Sequence, residues 1–272
     1  MQSDTTHNAQ VMQFYYDVLA TGDTQQLEAL VAPDYVPHCA PLDDVPVLEP
    51  GLDALRRRIQ RNGPVPHRIY RMVADGDLVF AQVRYDGPVP ISGIDIFRFD
   101  AAGLIAEHWN CRQRIDHDTP GDDRRFAGGG IAAPITAERR TSMKSTLTKV
   151  LLQIWGQGDA ALVPVHYDES YIQHNLDMPG GYQRIKEIVE TEIQRYITAT
   201  GGPFPVDIHR MGAEGDLIFV HYSIFMAGIN RKEGQRATNA DIFRIGADDR
   251  MIEHWDVLQI EGEPLPDDKT LF

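Results

Sequence analysis

The sequence predicts an α+β protein made of two tandem copies of one domain. Recurring sequence blocks in a fixed order, helical periodicity opening each copy and strand-like runs closing each copy carry that prediction. Ile69-Tyr-Arg-Met-Val-Ala-Asp-Gly-Asp-Leu-Val-Phe80 returns as Ile208-His-Arg-Met-Gly-Ala-Glu-Gly-Asp-Leu-Ile-Phe219, identical at eight of twelve positions. Asp95-Ile-Phe-Arg98 returns as Asp241-Ile-Phe-Arg244, and Glu107-His-Trp-Asn110 as Glu253-His-Trp-Asp256. Gly22, Asp23, Tyr35 and His38 return as Gly158, Asp159, Tyr171 and His174. The offsets run from 136 to 146 residues, which is the length of a domain and far too long for a solenoid unit. The copies are placed at 8–115 and 141–262. Residues 116–140, with Thr119-Pro-Gly-Asp-Asp123 and Gly128-Gly-Gly130, have the composition of a linker.

Val11, Phe14, Tyr15, Val18 and Leu19 are spaced by threes and fours, as are Leu147, Val150, Leu151 and Ile154, so each copy opens with a helix. Gly22-Asp23 and Gly158-Asp159 end that helix and cap a short second one. Another amphipathic helix follows Gly181, with Ile185, Ile188, Val189, Ile193, Tyr196 and Ile197 on one stripe. Its shorter counterpart is Leu52 to Ile59. Strand signals then take over: 77–85 and 216–225 are rich in Val, Ile, Phe and Tyr. The runs 94–99 and 105–112 form one hairpin, and 240–245 and 251–260 another. Helices followed by consecutive antiparallel strands imply helices covering one face of a curved sheet.

Composition narrows the function. Hydrophobic residues are 42% of the 272, enough for packed cores, and 40 acidic against 26 basic residues give a formal charge of -14. Such a surface disfavours nucleic acid and anionic membranes as partners. No apolar run approaches the ~20 residues of a membrane span, and no basic-then-apolar export signal opens the chain, so a soluble cytoplasmic protein is expected. Two cysteines, Cys39 and Cys111, are too few for a disulfide framework or a thiolate zinc site, and both are expected to be buried thiols. Arg56-Arg-Arg58 reads as the solvated face of a helix. It could also meet an acidic surface of the other copy. Gly128-Gly-Gly130 lacks the Lys-Ser/Thr of a phosphate loop.

Helix, Gly-Asp, short helix, Tyr-x-x-His, long helix, Gly-Asp-Leu-x-Phe, Asp-Ile-Phe-Arg and Glu-His-Trp-Asp together resemble the SnoaL-like polyketide cyclases of the nuclear transport factor 2-like superfamily. The resemblance spans both copies. It implies two cone-shaped domains, each a curved, mostly antiparallel sheet wrapped around helices, packed sheet to sheet as a pseudo-dimer within the chain. A homodimer is also compatible with it. It further implies cofactor-free chemistry, and places the carboxylate ending His-Trp-Asp, Asp256, in the cavity between helices and sheet.

Alternation along a strand puts His254, Asp256 and Leu258 on one side and Glu253, Trp255 and Val257 on the other. Trp255 and Trp109 therefore face outward, where an interface between the copies would suit them. Asp241 shares a face with Phe243 and Ile245, which a carboxylate accepts only with a partner. It is either a hydrogen-bonded anchor, as its repetition as Asp95 suggests, or a participant in chemistry. His221 shares a side with Phe219 and Ser223, and its counterpart is Gln82. Tyr171 and His174, repeated as Tyr35 and His38, follow the short helix at the expected cavity mouth. The copies differ at one decisive position: Asn110 stands where the second has Asp256, and an amide cannot accept a proton at neutral pH. The second copy is thus the catalytic candidate and the first a degenerate partner, unless His108, His38 and Asp95 work in it. His174, His221, His254 and Asp241 offer metal-ligand atoms, but no ligand spacing supports a metal.

The expected function is cofactor-independent acid–base catalysis on a hydrophobic, carbonyl-bearing small molecule. Asp256 is the base, and His221, His174 or Tyr171 supplies a donor to the enolate, with Asp241 and His254 beside them. The resemblance puts intramolecular aldol cyclisation first, with isomerisation and dehydration next. Two alternatives stand: epoxide or ester hydrolysis by Asp241 and Asp256, and a non-catalytic carrier of hydrophobic ligands.

Overall fold

The computed structural model describes residues 4–39, 49–115, 122–131, 134–176, 178, 180–225 and 236–260. The chain divides into two compact units, one drawn from Met1–Thr119 and the other from Pro120–Ile260. No helix among the described residues is long and apolar enough to cross a membrane.

In the first unit, α1 (Asp4–Gln13) runs into a π-helical turn (Phe14–Leu19) and is followed by α2 (Leu27–Leu30), β1 (Val31–Cys39) and α3 (Leu52–Asn62). Strands β2 (His67–Asp75), β3 (Leu78–Tyr85), β4 (Ile91–Phe99) and β5 (Ile105–Arg114) complete it. The second unit repeats the plan after a 3-10 turn at Asp122–Phe126. There α4 (Ala137–Lys149) runs into a π-helical turn (Val150–Gly156), then come α5 (Val163–His166), β6 (Tyr167–Gln173) and α6 (Gly181–Ile188). A π-helical turn (Val189–Ile193) joins α6 to α7 (Gln194–Thr200), and β7 (Val206–Glu214), β8 (Leu217–Phe225), β9 (Arg236–Ile245) and β10 (Met251–Ile260) close the unit. Both sheets have the same order, β1-β5-β4-β3-β2 and β6-β10-β9-β8-β7.

The opening helix of each unit packs on one face of its own sheet. Val11, Phe14 and Val18 meet Val79, Ala81 and Phe97, while Leu147, Val150 and Ile154 join Ile218, Val220 and Phe243. The alternate residues, Phe80, Ile96 and Trp109 in one sheet and Phe219, Ile242 and Trp255 in the other, are buried as well. A strand buried on both faces loses its polar alternation, so β3 and β8 read as largely apolar runs. Gly22 (φ +74°) and Gly158 (φ +72°) turn the chain out of the opening helix in the left-handed region that favours glycine.

The sheets hold more strands than the sequence pattern announces. β1 and β6 lie parallel to β5 and β10 at the sheet edge, and β2 and β7 lie antiparallel at the other edge. β1 contains Pro33 and Pro37, which remove ladder donors and suit an edge. Half-buried Asp168 and exposed Glu169 and Ser170 break up the apolar signal of β6. Residues 116–140 also hold structure: α4 begins at Ala137, with the Thr136 side chain accepting from the Arg139 amide as a cap. Cys111 is a buried thiol, and the Cys39 side chain lies outside the described residues. On α3, Arg56 pairs with Glu28 and Asp53, and Arg57 with Glu49.

Candidate active site

Strand register assembles the second site. Asp256 on β10 lies opposite Asp241 on β9, which lies opposite Val220 on β8. His254, Phe243 and Ile218 form the neighbouring row, and Leu258, Asn239 and Tyr222 the row on the other side. Residues paired across a sheet share a face, and Ile218, Val220 and Phe243 fix that face as the one under the helices. A short polar row thus crosses an otherwise apolar surface.

Asp241, buried, accepts from the Tyr222 hydroxyl at 2.8 Å and lies 3.2 Å from Nε2 of His254. Oε1 of Gln173 accepts from the Asn175 amide at 3.0 Å and lies 2.9 Å from Nδ1 of His254. An acceptor at Nδ1 assigns that nitrogen its proton and directs Nε2 at the carboxylates. Burial pulls the His254 imidazole down, but the hydrogen bond and charge of Asp241, joined by the charge of Asp256, outweigh it and raise its pKa.

Asp256 is only partly buried, and Nδ2 of Asn175 donates to its Oδ2 at 2.7 Å. Loss of solvation is the main force on it and pushes its pKa up; His254 and Asn175 oppose the rise and Asp241 adds to it, so that it stands at about 6. The Tyr171 ring stacks against His254 at 6.3 Å. Burial first, then Tyr167 and the two carboxylates, hold its phenol well above the ordinary value, so it stays a neutral donor. Donor atoms of Asp241, His254 and Asp256 lie within 4.8 Å of one another. They could hold a divalent cation, and Nε2 of His254 lies 3.2 Å from Asp241 within the group.

The structure does not bring His221 or His174 to Asp256. His221 pairs with Ala240, a position on the opposite face, and accepts from Arg210 at 3.1 Å. Burial, then Arg210 and His209, push its pKa well below the ordinary value, so it is neutral. His174 also turns to that outer side. Its ring stacks on Trp255 at 4.8 Å, its Nε2 meets Glu253 at 2.8 Å, and its Nδ1 meets the Arg124 carbonyl at 2.6 Å. The first unit repeats this network: His38 stacks on Trp109 at 4.7 Å and meets Glu107 at 2.9 Å. Arg98 completes it through Glu107, as Arg244 does through Glu253. The repeated Arg, Glu-x-Trp and His of Tyr-x-x-His are thus a shared outer-face scaffold, and His38 is not beside His108 and Asp95.

Inside the first unit, Asp95 accepts from the hydroxyls of Tyr15 and Tyr85, with His108 Nε2 at 3.2 Å and Arg112 at 3.9 Å. Burial alone would raise its pKa, but His108, Arg112 and Tyr15 together hold the carboxyl well below its usual range. Asn110 turns its amide oxygen to Arg112, accepting from Nε at 3.1 Å and Nη2 at 2.9 Å. Gln173, Asn175 and Tyr222, together with Tyr15, Tyr85 and Arg112, are the site residues that sequence reasoning did not name. Alternation from Val220 would have found Tyr222.

Residues 12–108 match the model of the SnoaL-like domain. No curated protein sequence is significantly similar to the chain. Among solved structures it is similar to TsrD from Streptomyces laurentii, at 22% identity over 41% of this chain and 92% of that one, with a TM-score of 0.34. It is also similar to a steroid delta-isomerase from Pseudomonas aeruginosa, at 22% identity over 42% and 82% of the respective chains and a TM-score of 0.33. A third is an NTF2-like protein of unknown function from Mesorhizobium loti, at 19% identity over 42% and 96% and a TM-score of 0.35. The first unit thus carries a match to the SnoaL-like domain, and the second repeats its strand order.

Proposed function

We propose that the second unit is a cofactor-independent acid–base catalyst acting on a hydrophobic, carbonyl-bearing small molecule, with Asp256 as the base. The observation that carries this reading is the state of Asp256: partly open, in an apolar setting, with a pKa raised to about 6 beside His254. A base poised near neutral pH combines the ionised form with useful proton affinity. Asp256 would take a proton from the carbon next to a carbonyl. The neutral Tyr171 phenol, or His254 in its charged form, would donate to the enolate oxygen as negative charge gathers there. If the enolate carbon attacks a second carbonyl in the same molecule, the product is a ring. If the proton returns at another carbon, the product is an isomer. The match of residues 12–108 to the SnoaL-like domain favours ring closure, with isomerisation and dehydration drawing on the same proton transfers.

The expected result for D256N is a fall in kcat of roughly 10²–10⁴-fold with substrate binding retained, measured against a panel of hydrophobic diketones and enones. In the parent chain, kcat/KM rises with pH through about 6 as Asp256 ionises. Undiminished turnover in D256N ends the assignment. The facing carboxylates of Asp241 and Asp256 favour one second reading, activation of water on an epoxide or ester, for which solvent oxygen in the product is the signature.

A further inference from the structure

The two units place polar rows at the same strand positions and neutralise them differently. In the first, Asp95 lies opposite Asn110, and Arg112, two residues along β5, stands 3.9 Å from the Asp95 carboxylate. That guanidinium gives the first row its own cation. In the second, Asp241 lies opposite Asp256, and Leu258 takes the position of Arg112. One carboxylate has been added and one cation removed. Among the described residues, neither Asp241 nor Asp256 makes an ion pair with a lysine or arginine. The charge of Arg125 acts on Asp256 less than His254, Asp241 or Asn175 does. Carboxylates withdrawn from water without compensation are costly, so the row demands positive charge. A protonated His254 supplies one charge against two carboxylates, whereas a divalent cation matches both.

The donor atoms are arranged to take that charge from outside. One donor atom from each of Asp241, His254 and Asp256 lies within 4.8 Å of the other two. Each of the three side chains is oriented by a neutral group. Tyr222 donates to Oδ2 of Asp241 at 2.8 Å, Asn175 donates to Oδ2 of Asp256 at 2.7 Å, and Oε1 of Gln173 lies 2.9 Å from Nδ1 of His254. A proton held at Nδ1 by such an acceptor leaves the Nε2 lone pair for a metal. Asp241 is 4% exposed, and its Oδ1 has no hydrogen-bond partner among the described residues. Buried polar atoms are nearly always paired, so this oxygen, beside an imidazole and a second carboxylate, points to a ligand. We propose that Asp241, His254 and Asp256 bind one divalent transition cation, and that the cation switches the second site off. One imidazole with two carboxylates suits Zn²⁺ or Mn²⁺. Partly exposed Asp256 gives the ion its way in. No sequence spacing announces the site, because β9 and β10 share its ligands. The switching rests on the acid–base reading above: a carboxylate that gives its lone pair to a metal cannot take a proton from carbon. The binding itself stands without a substrate.

The test is a calorimetric titration of the chelator-treated full chain with Zn²⁺ at pH 7, with Tm read alongside. H254Q and D241N are each expected to weaken the tightest binding by about tenfold or more. L258R keeps all three ligands and returns to the row the cation that the first unit has, so it should remove that binding. Parent affinity retained in H254Q and L258R, with circular dichroism intact, means that other histidines hold the ion and overturns the proposal. Should those variants fold poorly, Q173M, which takes away only the acceptor at Nδ1, is expected to bind about tenfold more weakly. Unchanged affinity in Q173M overturns the proposal equally. Because the readout needs no turnover, Zn²⁺ binding at these residues in a chain that lacks carbonyl chemistry sinks the proposed function alone. Turnover that saturating Zn²⁺ leaves untouched sinks this inference alone.

Discussion

Loss of solvation pushes the pKa of both Asp95 and Asp256 upward, yet only at Asp95 do the neighbours outweigh it. Asp95 has two phenols, an imidazole and a guanidinium around it and stays ionised far into acid. Asp256 has one amide, an imidazole and a second carboxylate close by, and loss of solvation leaves it holding its proton more tightly than a free side chain. Asp95 is thus a structural charge. D95N strands Arg112 and His108 without their anion, and breaking a buried pair in this way costs about 3–5 kcal/mol at neutral pH. The sign with pH follows from the depressed pKa. The stabilisation is present in full above the unfolded carboxyl value of about 4 and is lost progressively as the pH falls from there through the depressed folded value. Thermal melts of D95N and parent chain should therefore differ most at pH 7, and the difference should shrink only as the pH drops below about 4. A constant difference would show that charge is not what Asp95 supplies. Asp256 was legible because it ends a motif, whereas Asn175 reaches it across 81 positions from a loop without periodicity. His221 was misplaced for a related reason. Alternation tells which residues of one strand share a side, and only the register between β8 and β9 tells which side that is.

At the scale of elements, the helix-then-sheet plan was written in apolar spacing, and β3, β4, β5, β8, β9 and β10 follow it. The edge strands escaped because they are partly polar, and β1 and β6 are also paired to strands distant in sequence, which no local pattern records. What repeats most faithfully between the units is the outer-face scaffold of His, Glu, Trp and Arg, and in the second unit it also binds the linker. His174 joins three elements at once: the end of β6, Glu253 on β10 and the Arg124 carbonyl. Removing its two hydrogen bonds, one to a carboxylate, is worth about 2–4 kcal/mol locally. H174A is therefore expected to speed tryptic cleavage after Arg124 and Arg125 several-fold at a temperature where the chain remains folded. H38A, whose ring meets Glu107 and Trp109, should leave that cleavage unchanged. Equal cleavage in parent and H174A would mean that the linker holds its place without the scaffold.

For the molecule as a whole, duplication has produced two polar cones of opposite character on one strand order. Asn110 and Arg112 occupy the strand positions that Asp256 and Leu258 occupy in the repeat. The exchange is more than a missing acid. A carboxylate introduced at position 110 would lie against the Arg112 guanidinium, whose Nε and Nη2 now reach the amide oxygen at 3.1 and 2.9 Å. An adjacent cation lowers a carboxyl pKa by about 1–3 units, which turns a base into an ion-pair partner. Restoring the acid therefore does not restore the chemistry. N110D placed in the D256N background is expected to show no turnover above D256N alone, with a new carboxyl titrating below pH 4 by carbon NMR. If the double variant regains activity within tenfold of the parent chain, then position 110 alone separates the repeats, and the first cone has kept every other part of a working site.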